Sequence, residues 1–146
     1  MVREIVPPDT ALAFEAVRAL RPQFADEEGF VTRVDQVLRP EGYRLVGAFE
    51  DAQQAVAVAG FRAGNSLDWG RYIYVDDLST LSEMRRRGHA RALLDWLHEE
   101  ALRLDCDQLH LDSAVGPQRA DAHRLYLNSG LQITAHHFER AVARRP

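Results

Sequence analysis

The stretch Arg85-Arg86-Arg87-Gly88-His89-Ala90, continued by Arg91-Ala92-Leu93-Leu94-Asp95-Trp96-Leu97-His98-Glu99-Glu100-Ala101-Leu102, decides how the chain is read. Three cations, a glycine and a small residue precede a run whose apolar residues recur at Ala90, Leu93, Leu94, Leu97, Ala101 and Leu104. That spacing predicts an amphipathic helix over about residues 87–104 with one buried face. It also predicts Glu99 and Arg103 as an i,i+4 pair on the wet side. An extended apolar segment, residues 72–81, lies just upstream, so the order is strand, basic turn, helix. The first N–H groups of a helix lack internal partners and sit at the positive end of its dipole. Gly88 has no Cβ to keep a ligand off the backbone, and Ala90 keeps the approach open. Such a turn suits a phosphate or pyrophosphate. On charge alone, three successive arginines read more readily as a solvated surface, so the flanking elements have to decide.

Working outward, residues 2–6 read as a short strand closed by Pro7-Pro8. Asp9 or Thr10 is placed to cap a helix carrying Ala11, Phe14, Val17 and Leu20, which Pro22 breaks. A weaker helical pattern covers residues 24–38, and Pro40-Glu41-Gly42 is a turn. Residues 43–50, 55–62 and a strand within 67–81 follow as three extended runs. Turns at residues 51–54 and 63–66 separate them, predicting an antiparallel meander. Residues 108–112 read as a strand that the preceding helix makes parallel to the third run. Pro117 opens another helix, ended by Ser129-Gly130. The alternation through Leu131, Ile133 and Ala135 predicts a closing strand over residues 131–142.

Composition narrows the class. The 146 residues predict a single domain, and 46% apolar with 27% charged residues is the balance of a soluble globular protein. No run approaches the length of a membrane span, and Met1-Val2-Arg3-Glu4-Ile5-Val6 is no signal-peptide core. A cytoplasmic protein with no membrane partner is therefore expected. The net charge of −4 argues against nucleic acid as a partner and leans toward a cationic substrate. All 18 basic residues are arginine, which excludes lysine Schiff-base chemistry and a phosphate-loop lysine. The lone Cys106 excludes an internal disulfide and reads as a small core residue.

Metal chemistry finds no footing in the pattern. His136 and His137 are adjacent and in a strand would face opposite ways, while His89, His98, His110 and His123 show no ligand spacing. No Gly-x-Ser-x-Gly elbow is present. Asp76-Asp77 stands out in an apolar strand. Alternation sends the two carboxylates to opposite faces, so one meets a core or a cleft. That is the setting of a general base, or of a carboxylate paired with a nearby arginine. Tyr126, late on its helix, is either a packed structural tyrosine or a general acid.

Taken together, these motifs resemble the GNAT superfamily of acetyl-CoA-dependent N-acetyltransferases. The turn residues 85–90 match that family's Gln/Arg-x-x-Gly-x-Gly/Ala pattern. Arg119-x-x-Ala122-x-x-Leu125-Tyr126 with Gly130 is similar to its later Asn-x-x-Ala-x-x-Phe-Tyr motif, departing from it at Arg119 and Leu125. The resemblance implies a co-substrate, acetyl-CoA, and no metal. Its arm would pair with the backbone of Leu78, Ser79 and Thr80. Its pyrophosphate would lie against Arg85, Arg86, Arg87, Gly88, His89, Ala90 and Arg91, with a further contact at Arg119 left open. A backbone N–H near Leu78 would polarise the thioester carbonyl. Tyr126 would protonate the leaving thiolate, and Asp77, with Asp76 as the alternative, would take the amine's proton.

The resulting expectation is an α/β (α+β) fold in one domain, residues 1–146. It has a mixed, mainly antiparallel sheet of about six or seven strands and about four helices. The expected activity is acetyl transfer to the primary amine of a small molecule by direct attack in a ternary complex. A non-catalytic acyl-CoA-binding or sensing module and a protein N-acetyltransferase stand as alternatives, and a homodimer is left open. Acceptor specificity is expected from residues 22–42 and the loop after Asp112.

Overall fold

A computed structural model describes all of residues 1–146. The chain forms two compact units, Met1–Leu111 and Asp112–Pro146. No helix is long and apolar enough to cross a membrane.

The first unit is built on a five-stranded sheet in the order of the chain: β1 (Val2–Ile5), β2 (Arg44–Ala48), β3 (Ala57–Ser66), β4 (Gly70–Thr80) and β5 (Gln108–Leu111). The first three pairings are antiparallel and β4–β5 is parallel, which makes the sheet mixed as expected. β3 runs on to Ser66, where Ala63-Gly64-Asn65-Ser66 had the composition of a turn. Pairing with Arg71, Tyr72 and Ile73 keeps those residues extended, and the reversal falls on residues 67–69. Local turn preference yields to a continuous ladder.

One sheet face is covered by α1 (Phe14–Leu20) and α2 (Glu27–Thr32). Phe14, Val17, Phe30 and Val34 pack there with Ile5, Leu45 and Val58 in one cluster. Asp9 and Thr10 head a 3-10 turn, Asp9–Ala13, with no side-chain cap. Thr10 is fully buried and its hydroxyl donates to Asp35 at 2.7 Å. The expected helix over residues 24–38 is α2 followed by a wider turn, Arg33–Leu38.

The other face is covered by α3 (His89–Arg103), which buries Leu93, Leu94, Leu97 and Ala101 as the periodicity requires. Trp96 meets Phe61 edge-on at 5.9 Å. The expected Glu99–Arg103 pair does not form. Arg103 turns to Glu100, a carboxylate only 6% exposed that also accepts from Arg44 of β2. A buried charge needs cations more than an exposed one does, and i,i+3 reach is as available as i,i+4.

In the second unit, Pro117–Arg119 leads into α4 (Ala120–Asn128), and Gly130 carries the left-handed φ of +88 expected of its cap. The closing strand predicted over residues 131–142 is not part of the sheet, which has five strands and not six or seven. Its last main-chain bond runs from Leu131 N–H to the Tyr126 carbonyl. Alternation encodes a readiness to extend; a strand also needs a partner, and here Ile133 stands 80% exposed.

Candidate active site

β4 changes character at Asp76. Asp77 pairs with Gly60 while Val75 pairs with Phe61, so Asp76 is an extra residue in a β-bulge. The bulge corrects the reading of the two acids. Alternation would part them, but the added residue turns both onto the α1 face. Arg62 holds Asp76 through two bonds, of 2.9 and 2.7 Å. Arg21 Nε donates to Asp77 Oδ1 at 2.9 Å, and the Tyr43 hydroxyl donates to Asp77 Oδ2 at 2.7 Å. A second Arg21 nitrogen donates to the Asp76 carbonyl at 3.1 Å. Burial first, and then the Asp77 charge, push the Tyr43 phenol far above its ordinary pKa, so it remains a donor. Gly60 is what admits this ring: a Cβ there would sit 1.7 Å from the Tyr43 oxygen.

Both acids are therefore paired carboxylates in this structure. The expectation of an arginine partner holds, but not from nearby in sequence. Arg21 is 56 residues from Asp77 and Tyr43 is 34 away. Sequence reasoning missed both because no local pattern signals them; only the need of a half-buried acid for a cation announces that some partner exists. Replacing Tyr43 by Phe is expected to lower stability by about 1–2 kcal/mol in a denaturant melt, by removing one donor to a largely buried carboxylate.

Beyond the bulge β4 is free on one side. β5 pairs with β4 only from Tyr72 to Val75. Residues 77–80, including Leu78, Ser79 and Thr80, are paired to β3 alone. Their outward N–H and C=O groups are open to an extended ligand, which could add there as a strand adds to an edge.

The free segment leads through the turn Ser82–Met84 into the basic stretch. Arg85 is extended, Arg86 has φ +63 and Gly88 has φ +82, and α3 starts at His89. Gly88 caps the helix with no side chain of its own, and a Cβ added there would meet nothing within 4 Å. The open N–H groups of the first turn, around His89, Ala90 and Arg91, have no acidic residue among them. What the turn offers is open backbone, apart from the number of arginines around it.

Some of those cations already have work. Arg87 holds Glu50 with bonds of 3.0 and 2.9 Å, and His89 Nε2 lies 2.8 Å from the same carboxylate. His89 first and Arg87 second hold the Glu50 carboxyl below its usual range. Arg91 lies 3.4 Å from Asp95 on its own helix. Glu50 is a third residue that sequence reasoning missed, since it stands in the loop after β2, 37 residues before Arg87.

In the second unit Tyr126 is 9% exposed on α4. Burial raises its pKa, with the neighbouring Arg119 guanidinium pulling the other way. A phenol in that state keeps its proton at neutral pH and can give it up to a stronger base. Arg119 turns inward: its Nε is buried without a partner, and one terminal nitrogen lies 3.4 Å from Ser113 Oγ. His123 closes the same loop on Ser113 Oγ at 3.1 Å and on the Ala114 carbonyl at 2.9 Å.

A sheet strand left half free just ahead of a glycine-capped helix start is an architecture suited to enzymes that pass an acyl group from a thioester to an acceptor. The profile of the acetyltransferase (GNAT) family matches residues 10–131. The chain belongs to that family, and the protein is an enzyme that transfers acetyl groups. It is 29% identical over 118 residues to the uncharacterized N-acetyltransferase YhdJ of Bacillus subtilis (strain 168), covering 80% of this chain and 81% of that one. Its fold is similar to an aminoglycoside acetyltransferase from an uncultured soil metagenomic sample, with a TM-score of 0.79, 20% identity and 98% of each chain covered. It is also similar to an aminoglycoside N-acetyltransferase solved in complex with CoA, with a TM-score of 0.67, 17% identity, and 100% of this chain and 93% of that one covered. Acetyl-CoA is the donor typical of the family.

Proposed function

We propose that residues 1–146 work as one catalytic domain, an N-acetyltransferase that moves the acetyl group of acetyl-CoA to a primary amine of a small molecule by direct attack in a ternary complex. The observation that carries this reading is the half-free end of β4, with Leu78, Ser79 and Thr80 unpaired on the β5 side and followed at once by the Gly88 turn. The backbone of those three residues takes the pantetheine arm. The amides and side chains of residues 85–91 take the pyrophosphate. Acetyl-CoA supplies the activated acyl group; the remaining work falls to the chain.

The amine is protonated at neutral pH, so a carboxylate must accept its proton before attack. Asp77 does so through water, because both its oxygens already accept from Arg21 and Tyr43. The amine nitrogen then bonds to the thioester carbon, a backbone N–H near Leu78 steadies the oxyanion, and the C–S bond breaks. Tyr126 gives its proton to the departing sulfur, for which its raised pKa keeps it loaded. Arg119, turned inward beside Tyr126, acts on that phenol rather than on a phosphate.

The test is acetyl-CoA turnover against a panel of amines, read by thiol release. Tyr126→Phe is expected to lower kcat by about 10- to 100-fold with little change in KM for acetyl-CoA, the signature of an interaction made in the transition state. CoA binding without turnover on any amine would favour an acyl-CoA-binding module. Turnover on protein N-termini but on no small amine would favour a protein acetyltransferase. Asp77→Asn is expected to lower kcat most below neutral pH, and an unchanged pH profile would remove Asp77 from the proton path.

A further inference from the structure

Two cationic side chains at the start of α3 are held by an anion that the chain supplies from another loop. Phe49, just after β2, is buried, and its N–H donates to the Met1 carbonyl at 2.8 Å. Ala55, just before β3, is fully buried, and its N–H donates to the Leu12 carbonyl at 2.9 Å. Between these anchors residues 50–54 make no main-chain hydrogen bond to the rest of the chain. Glu50 reaches out of that loop to Arg87 at 3.0 and 2.9 Å and to His89 at 2.8 Å. The first turn of α3 has no acid of its own, so Glu50 brings to it the negative charge that the helix start and the two side chains favour. The same two side chains hold its carboxyl low, so at neutral pH it is an anion.

The grip is firm in geometry and shallow in energy. The Arg87 and Glu50 side chains are 51% and 36% exposed, and an ion pair so open to water is weak. A pyrophosphate carries more charge than one carboxylate and offers more acceptor oxygens. Two anions cannot share these cations without repelling each other at short range. The loop leaves Glu50 room to withdraw, because its backbone is tied only at residues 49 and 55.

We propose that Glu50 is an internal competitor of the donor: it occupies Arg87 and His89 in the free enzyme and is displaced when the phosphates of the donor arrive. The inference rests on residues 85–91 taking the pyrophosphate. Part of the donor's binding energy is then spent on releasing Glu50, and the native enzyme binds its donor less tightly than the turn allows. Glu50 thus keeps the turn closed to weak or singly charged anions and opens it to a polyphosphate.

Titration calorimetry with CoA in about 50 mM salt, where surface charges are less screened, tests this. Glu50→Gln keeps the size of the side chain and removes its charge, and its melting temperature should hold because the pair is exposed. Its dissociation constant for CoA is expected to fall about two- to fivefold. In an Arg87→Gln background the same change should gain less, because the cation that Glu50 withholds is gone. An unchanged dissociation constant for Glu50→Gln overturns the proposal. A raised one also overturns it and makes Glu50 a residue that positions the turn. Equal gains in the two backgrounds overturn it as well. A wild type that binds no CoA overturns the pyrophosphate reading of the turn and this proposal with it, whereas CoA binding with no gain in Glu50→Gln overturns this proposal alone.

Discussion

Gly88→Glu is expected to weaken CoA binding on the order of a hundredfold, about 2.7 kcal/mol in titration calorimetry. Two effects act together. The residue holds φ +82, which a side chain tolerates at a cost of about 1–2 kcal/mol. The carboxylate also brings a negative charge to the start of α3, where the proposed pyrophosphate lies. Nothing stands within 4 Å of the new Cβ, so the fold has room for the substitution. Gly88→Ala separates the two contributions, because it keeps the backbone strain and adds no charge. It should cost no more than about tenfold in affinity. If both variants bind CoA as the wild type does, the turn is not the pyrophosphate site and the proposed function loses its footing.

The second large effect lies away from the turn. Glu100→Ala is expected to destabilise the protein by about 3 kcal/mol, because it leaves Arg44 and Arg103 without the buried carboxylate between them. Glu4, which takes Arg44 through bonds of 2.8 and 3.0 Å, limits the loss. The pH dependence follows from the same geometry. Arg103 first, and Arg44 with it, hold the Glu100 carboxyl down to about 2 against the opposing effect of burial. An unfolded glutamate titrates near about 4.3, so the folded state binds fewer protons between those values. The stabilisation is complete above the unfolded value and is lost as pH falls toward the folded one. Melting temperatures taken from pH 6 to 2 should fall steeply below pH 4 for the wild type. Glu100→Gln should start lower and fall less. Parallel curves would show that Glu100 is not the group that titrates.

The meander, α3 and its buried face were readable because each is written locally: turn residues at short spacing, then a clean 3.6-residue period. The turn at residues 85–90 was readable for the same reason. What escaped reading is non-local. Nothing in the residues around Glu100 marks it, and only the approach of Arg44 from β2 makes it the buried centre of a network. Glu50, Tyr43 and Arg21 come from the loop after β2, the residue just before β2 and the residue just after α1, where nothing in the surrounding residues distinguishes them. The bulge at Asp76 escaped because alternation assumes an unbroken ladder, and one inserted residue reverses its prediction for everything that follows. Residues 131–142 escaped for the opposite reason: the pattern was present and the partner was not.

The bulge has a consequence for how this chain tolerates change. Before it, Tyr72 and Tyr74 share the α1 face while Ile73 and Val75 face α3. After it the parity is inverted, with Asp77 and Ser79 on the α1 side and Leu78 opposite Ala59. The two halves of β4 are out of phase, and the offset is stored in the number of residues rather than in their identity. Substitution at Asp76 leaves that count intact. Deletion of a single residue there would slip the frame, carrying Asp77 away from Tyr43 and Arg21 and turning over the half of the strand proposed to take the pantetheine arm. Length, at this one point, is the conserved quantity that the geometry demands.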